Sequence, residues 1–294
     1  MVWKGIIHPV HCWSCLVKSR GLGKAELESE LADSMWDKAS SSRTRAFIES
    51  YSIMAERLGY DPLKEEKARL NEEALEVVDR DFIGRLDFRG ILKVMAAANA
   101  VDWGLEGYRF SIRELLDGWS EALVMDYPYT EADSVVVVLD NAGEAVVDLL
   151  AAERLKELGF NVVVVARSEF YETDITVDEA VELSHRMGLN LTIIGTGSRY
   201  PGTFYPELPY NLKGLLEYSD IVLAKGIANL EAASESMPLG LSGKFYHLLR
   251  AKCIPISEVF DVDVGTPLVT SLKRASLYIE DYARRSWSSR GIQQ

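Results

Sequence analysis

Residues 134–148 read SVVVVLDNAGEAVVD, and the fold follows from how this stretch is read. Val135 to Leu139 is an unbroken apolar run, mostly β-branched. Such a run fits a strand covered on both faces, as in a parallel sheet. It then delivers Asp140 and Asn141, turns through Ala142 and Gly143, and enters a helical pattern with Glu144 in its first turn. In open α/β sheets ligands bind beyond the carboxyl ends of the strands, so an acid and an amide placed there are site candidates. The alternative is that one of them caps the following helix.

Outward from this stretch the same alternation continues. The sequence predicts strands at Ser134–Leu139, Asn161–Ala166, Leu191–Ile194, Ile221–Ala224 and Cys253–Ser257. Between and after them it predicts helices at Gly143–Leu158, Val177–Met187, Tyr210–Glu217, Asn229–Ser234, Ser242–Ala251 and Leu268–Trp287. That order implies an α/β fold over residues 131–294, a mostly parallel sheet in a three-layer sandwich. Upstream, Ala25–Asp37, Ser42–Leu58, Lys64–Val78, Phe88–Ala100 and Ser111–Leu116 carry apolar residues at three- and four-residue spacing. No strand pattern stands out there, so residues 1–130 read as a helical domain. Near its end Asn99 and Asp102 lie one turn apart on a helix of small residues, either as caps or as one wall of the cleft.

Composition narrows the partners. The chain has 294 residues, 48% of them hydrophobic, which is ample for a sizeable core. Its net charge of −13 disfavours nucleic acid, whose phosphates attract Lys/Arg surfaces. No stretch approaches the roughly twenty apolar residues of a membrane span. The opening MVWKGIIHPVHC lacks a signal-peptide run, and with only three cysteines the chain reads as cytoplasmic. The pattern does not specify an oligomeric state. His8, His11, Cys12 and Cys15 form HPVHCWSC, with Cys253 the remaining thiol. They suit a zinc site completed by a distant ligand, a redox dithiol, or plain packing. The motif does not follow a strand, which weakens the redox reading.

Polar residues gather after four consecutive predicted strands. The first ends in Asp140, Asn141 and Glu144; the second leads to Asp174 and Thr176; the third to Gly195-Thr196-Gly197-Ser198; the fourth to Lys225, Gly226, Asn229 and Glu231. Asp140, Asn141 and Asp174 offer only oxygen, which suits Mg²⁺, Mn²⁺ or a similar divalent ion. The Gly-Thr-Gly-Ser loop offers amides and hydroxyls for a phosphate. Lys225 adds a cation and Gly226 a close backbone approach. A dinucleotide fingerprint is missing, since the chain reads DNAGEA where G-x-G-x-x-G is required. The haloacid-dehalogenase Asp-x-Asp fails at Ala142, and no nucleophile elbow or zincin spacing is present.

Asp140-Asn141-Ala-Gly-Glu144, Thr173-Asp174-Ile-Thr176 and Lys225-Gly226-x-x-Asn229-x-Glu231 together resemble the metal-dependent damage-control phosphatases, once known as domain of unknown function eighty-nine. The resemblance extends to Cys12-x-x-Cys15, Asp61-Pro62 with Asn71 downstream, Asn99-x-x-Asp102 and Lys252-Cys253. It is strongest to the stand-alone archaeal-type branch. The resemblance implies a helical domain followed by a Rossmann-like α/β/α domain. It implies a divalent metal, Mg, Mn, Co or Ni, held at the matches to Asp140, Asn141 and Asp174. It implies hydrolysis of small phosphorylated metabolites such as sugar phosphates. Thr173 replaces the family's usual Asn and Ala98 its usual Gly. On this reading Asp140 and Lys225 are the catalytic candidates. Glu144, Thr196, Gly197, Ser198, Lys225, Gly226 and Asn229 are the substrate contacts. The attacking group is either a water or Asp140 itself. A non-catalytic protein that binds a phosphometabolite in the same cleft is the alternative.

Overall fold

The apolar run forms strand β2 (Ser134–Val138), and the alternation of its side chains sets three layers. The computed structural model describes residues 12, 15, 42–102, 108–128 and 131–288. The predicted helix Ala25–Asp37 and the residues His8 and His11 lie outside them. With β1 (Leu123–Val124), β3 (Asn161–Ala166), β4 (Thr192–Gly195), β5 (Ile221–Lys225), β6 (Phe245–Arg250) and β7 (Pro267–Ser271), β2 builds a seven-stranded sheet of order β1-β7-β6-β5-β2-β3-β4. Every pairing is parallel except β6 with β7. From β2 the chain moves outward through β3 to β4, then returns to place β5 on the other side of β2. The strand order therefore reverses between β2 and β5, and crevices at such reversals are where open sheets take ligands.

Helices cover both faces. One layer holds α2 (Lys64–Val77), α3 (Arg80–Gly84), α4 (Phe88–Ala98), α5 (Glu144–Glu157) and α6 (Val177–Arg186). There Leu70, Ile91, Met95, Leu149 and Leu183 pack on Val135, Val137 and Val164. The other layer holds α7 (Tyr210–Tyr218), α8 (Gly226–Ser236), α9 (Ile254–Phe260) and α10 (Leu272–Ser288). There Leu212, Leu230 and Ile256 pack on Val136, Val138 and Val222. Helix α1 (Arg43–Leu58), N-capped by Ser42, lies over Tyr171 with Ile48, Tyr51 and Met54. One apolar cluster thus runs from the helices before residue 130 into the sheet after it.

The structure differs from the sequence reading in five places. The region read as helix Ser242–Ala251 is strand β6, and the region read as strand Cys253–Ser257 is the start of α9. The helix expected from Leu268 begins only at Leu272, after β7. Ser111–Leu116 is reduced to a 3-10 turn at Ile112–Glu114. The two-residue β1 lies in the half read as helical and pairs with β7.

Candidate active site

After β2 the backbone is pinned to the loop that follows β3. Ala142 N–H donates to Thr173 O at 2.8 Å and Ile175 N–H to Asp140 O at 2.9 Å. Asn141 and Asp174 form an antiparallel bridge between the two segments. Gly143 then takes φ +80°, a conformation L side chains rarely adopt, and donates its N–H to Asn71 Oδ1 of α2 at 2.7 Å. It is also the N-cap of α5 and receives no side-chain cap. Asp140 and Asn141 are therefore not spent on capping. The same holds at the next loop, where Thr176 caps α6 in a reciprocal box with Glu179, leaving Asp174 outside it.

The carboxylates meet inside. Asn99, at the end of α4, donates from Nδ2 to Asp140 Oδ2 at 2.9 Å and to Glu144 Oε1 at 2.9 Å. Asn141 Nδ2 reaches the same Asp140 oxygen at 2.9 Å, while its Oδ1 accepts from Thr173 Oγ1 at 2.6 Å. Arg167 Nε donates to Asp174 Oδ2. Lys225 Nζ lies 2.7 Å from Asp148 Oδ1 and 3.7 Å from Glu144 Oε1. Lys252 Nζ lies 3.1 Å from Asp102 Oδ2 and 2.7 Å from Val101 O. Burial pushes the carboxyls of Glu144, Asp148 and Asp174 up, against the pull of Lys225 or Arg167. Asp102 is pushed up to about 6, again by burial first, with Lys252 opposing. The neighbouring charge of Asp140 raises all four.

The remaining sequence candidates take varied places. Gly226 sits at φ +80° against Asp140, and a Cβ there would overlap the Asp140 carboxylate. Lys225 is fully buried and donates to both oxygens of Asp148. Asn229 is buried and structural in its contacts, with Nδ2 on Lys225 O at 2.8 Å and Oδ1 accepting from Thr203. Glu231 pairs with Arg43 of α1 at 2.5 Å. In the Gly-Thr-Gly-Ser loop, Gly197 N–H donates to Ser168 Oγ at 2.7 Å, and Thr196 Oγ1 donates to Ser198 O at 2.7 Å. That loop thus spends amide and hydroxyl donors on its own shape.

A model of the damage-control phosphatase ARMT1-like domain matches residues 24–268. The chain belongs to that family. Among curated relatives, a damage-control phosphatase of Archaeoglobus fulgidus is 28% identical over 217 residues, 70% of this chain and 74% of its own length. One of Pyrococcus horikoshii is 27% identical over 235 residues, 74% of this chain and 76% of its own length. A crystal structure of a Pyrococcus horikoshii protein of the domain-of-unknown-function-eighty-nine family superposes with a TM-score of 0.68 at 21% identity, covering 90% of this chain and 96% of that one. The ARMT1-like domain thus carries the fold read from the strand–helix alternation.

Within this ARMT1-like domain the donors suit a hard divalent ion. Asp140 and Asp174 each bind described residues through Oδ2, and among the described residues no hydrogen bond goes to Oδ1 of either. The amide oxygen of Asn141 keeps a second lone pair beside Thr173. All three donors are oxygen, as Mg²⁺ or Mn²⁺ prefers. Among the described residues six carboxyl groups (Asp102, Asp140, Glu144, Asp148, Glu172 and Asp174) interact here with Arg167, Lys225, Lys252 and Arg250, so acids outnumber bases. Among the described residues no three His, Cys, Asp or Glu side chains form a metal-holding group. The oxygen set is two carboxylates and an amide. Cys12, Cys15 and Cys253 are in no disulfide. Among the described residues no helix is long and apolar enough to cross a membrane.

Asn99, Asp102, Asp148, Arg167 and Lys252 complete the cluster beyond the sequence candidates for contact. Asn99-x-x-Asp102 and Lys252 carried a motif signal. Asp148 follows Glu144 by four residues in the otherwise apolar first half of α5, so both acids stack on one buried face. Arg167 follows the last residue of β3 and was open to the same strand-end rule that found Asp140.

Proposed function

We propose that this chain is a divalent-metal-dependent phosphatase of small phosphomonoesters, with Asp140, Asn141 and Asp174 as the metal ligands. The observation that carries the reading is the Asp140 carboxylate. It lies at the strand-order reversal, is not used as a cap, has one oxygen fixed by two amides, and interacts electrostatically with Asp174, which Asn141 bridges. A divalent ion held there would supply Lewis-acid polarisation of a phosphoryl oxygen.

The chain's own residues prepare that site. Asn99 and Asn141 fix Asp140 Oδ2, so the carboxylate cannot rotate freely and Oδ1 is presented. Thr173 orients the Asn141 amide. Arg167 holds Asp174. Asn71 and Gly143 fix the turn that carries Asn141 and Glu144. Lys225 and Lys252, paired with Asp148 and Asp102, offset part of the acid charge that an arriving phosphate dianion would meet. The damage-control phosphatases of Archaeoglobus and Pyrococcus are the relatives that support this reaction class.

The test is release of inorganic phosphate from a panel of sugar phosphates and related monoesters with Mg²⁺, Mn²⁺, Co²⁺ or Ni²⁺ added in turn. Phosphate release that EDTA abolishes and one of these ions restores is the expected result. Saturable binding of the esters with no release under any ion would make the protein a phosphometabolite-binding module instead.

A further inference from the structure

We infer that Arg167 grips the phosphoryl group of the substrate through its Nη2 donor. The inference rests on the phosphatase reading above and adds the group that meets the phosphate.

Among the described residues four cations interact with the carboxylate cluster, and in three of them every side-chain nitrogen has a partner. Lys225 Nζ is enclosed by Asp148 Oδ1 at 2.7 Å and Oδ2 at 2.8 Å, with no exposed surface. Lys252 Nζ is held by Val101 O at 2.7 Å and Asp102 at 3.1 Å. Arg250 spends Nε, Nη1 and Nη2 on the carbonyls of Ala97, Gly265 and Asp117. Arg167 differs. Its Nε meets Asp174 Oδ2 and its Nη1 meets Arg199 O, but among the described residues its buried Nη2 has no hydrogen-bond partner.

A charged donor buried without a partner is costly, and native proteins keep few of them. Those that persist call for a ligand or a function. The guanidinium is also locked in place: Nε and Nη1 are bound, and Cζ lies 4.5 Å over the Tyr171 ring. Because the group is planar, the Nη2 N–H on the Nε edge runs parallel to the Nε–H that meets Asp174. An oxyanion beside Asp174 therefore falls in its path. Phosphate oxygens are the acceptors that an arginine fork matches best. Topology agrees, since Arg167 and Asp140 follow neighbouring parallel strands at the same end of the sheet. This assignment also explains how the site can take a phosphate although Lys225 is sealed behind Glu144 and Asp148.

The experiment measures two affinities by calorimetry, Mn²⁺ alone and inorganic phosphate at saturating Mn²⁺, for the wild type, Arg167→Gln and Arg167→Lys. Loss of one charge-assisted contact predicts phosphate binding weaker by roughly 10- to 100-fold in Arg167→Gln. Mn²⁺ affinity should hold or tighten, because a competing cation leaves Asp174, and Arg167→Lys should recover part of the phosphate affinity. If Mn²⁺ affinity falls while phosphate affinity at saturation is unchanged, Arg167 only positions Asp174 and the inference is wrong. A second measurement uses the wild type, so it does not depend on a variant folding. A crystal with Mn²⁺ and phosphate should place a phosphate oxygen about 2.7–2.9 Å from Nη2. A phosphate bound away from Arg167 would overturn the assignment. A wild type that hydrolyses esters while Arg167→Gln binds phosphate normally sinks this inference alone. A wild type that neither hydrolyses esters nor binds phosphate sinks the phosphatase reading and this inference with it.

Discussion

His247 gives a quantitative handle on the sheet that carries the site. It lies on β6, in register with Ala224 of β5 and Thr270 of β7. Strand alternation puts it on the same face as Phe245 and Leu249, in the apolar layer under α8. The side chain is fully buried, and among the described residues neither ring nitrogen has a hydrogen-bond partner. Burial alone drives its pKa from 6.5 down to about 3. The folded state therefore holds fewer protons than the unfolded state between those values. Stability from this residue is fully present above pH 6.5 and falls as the pH drops towards 3. Between pH 7 and pH 5 the loss works out at about 2 kcal/mol, from 1.36 kcal/mol per pH unit over the span below 6.5.

Buried carboxyls confound the raw pH profile. Asp102 and Glu231, pushed up by burial to about 6 and about 7, bind protons on folding and stabilise the protein as the pH falls. The comparison must therefore be between wild type and His247→Leu, in urea denaturation at pH 7 and pH 5. At pH 7 the variant should be as stable as the wild type or more so, because two unsatisfied nitrogens are removed. At pH 5 its advantage should grow by about 2 kcal/mol. Parallel pH profiles would show that His247 is hydrated or partnered in solution and that this layer is not sealed.

Two further substitutions probe the site. Gly226→Ala forces an L side chain into φ +80° and against Asp140. It should cost on the order of 1–2 kcal/mol of stability and, by displacing Asp140 from its amides, roughly 10- to 100-fold in Mn²⁺ affinity. Calorimetry showing wild-type Mn²⁺ binding would remove Asp140 from the ligand set. Lys225→Met leaves Asp148 buried and unpaired, at a cost of about 3–5 kcal/mol, and adding Asp148→Leu should restore most of it. Denaturation curves that show no recovery in the double variant would contradict the pairing as the role of Lys225.

The sequence made the central strands legible because β2, β3 and β5 are buried on both faces and read as continuous apolar runs. It also brought Asp140, Asn141 and Asp174 forward as candidates, because strand ends deliver polar residues to one edge whatever the family. Residues 242–257 failed for physical reasons. Phe-Tyr-His-Leu-Leu-Arg has no β-branched residue, and only its position between β5 and β7 makes it a strand. Ile-Pro-Ile reads as extended, yet proline is tolerated in the first turn of a helix, where Pro255 sits. Lys225 illustrates the limit at the site. A cation at a strand end looks the same whether it faces a phosphate or an acid 77 residues earlier in the chain. The pair Glu144 and Asp148, four apart in the apolar first half of a helix, was the available clue to its partner.

The most direct test of the site is a crystal grown with Mn²⁺ and measured at the manganese absorption edge. The account predicts one anomalous peak bounded by Asp140, Asn141 and Asp174 oxygens at about 2.0–2.6 Å, the range of hard-cation contacts. A peak elsewhere in the molecule, with those three side chains bare, would contradict it.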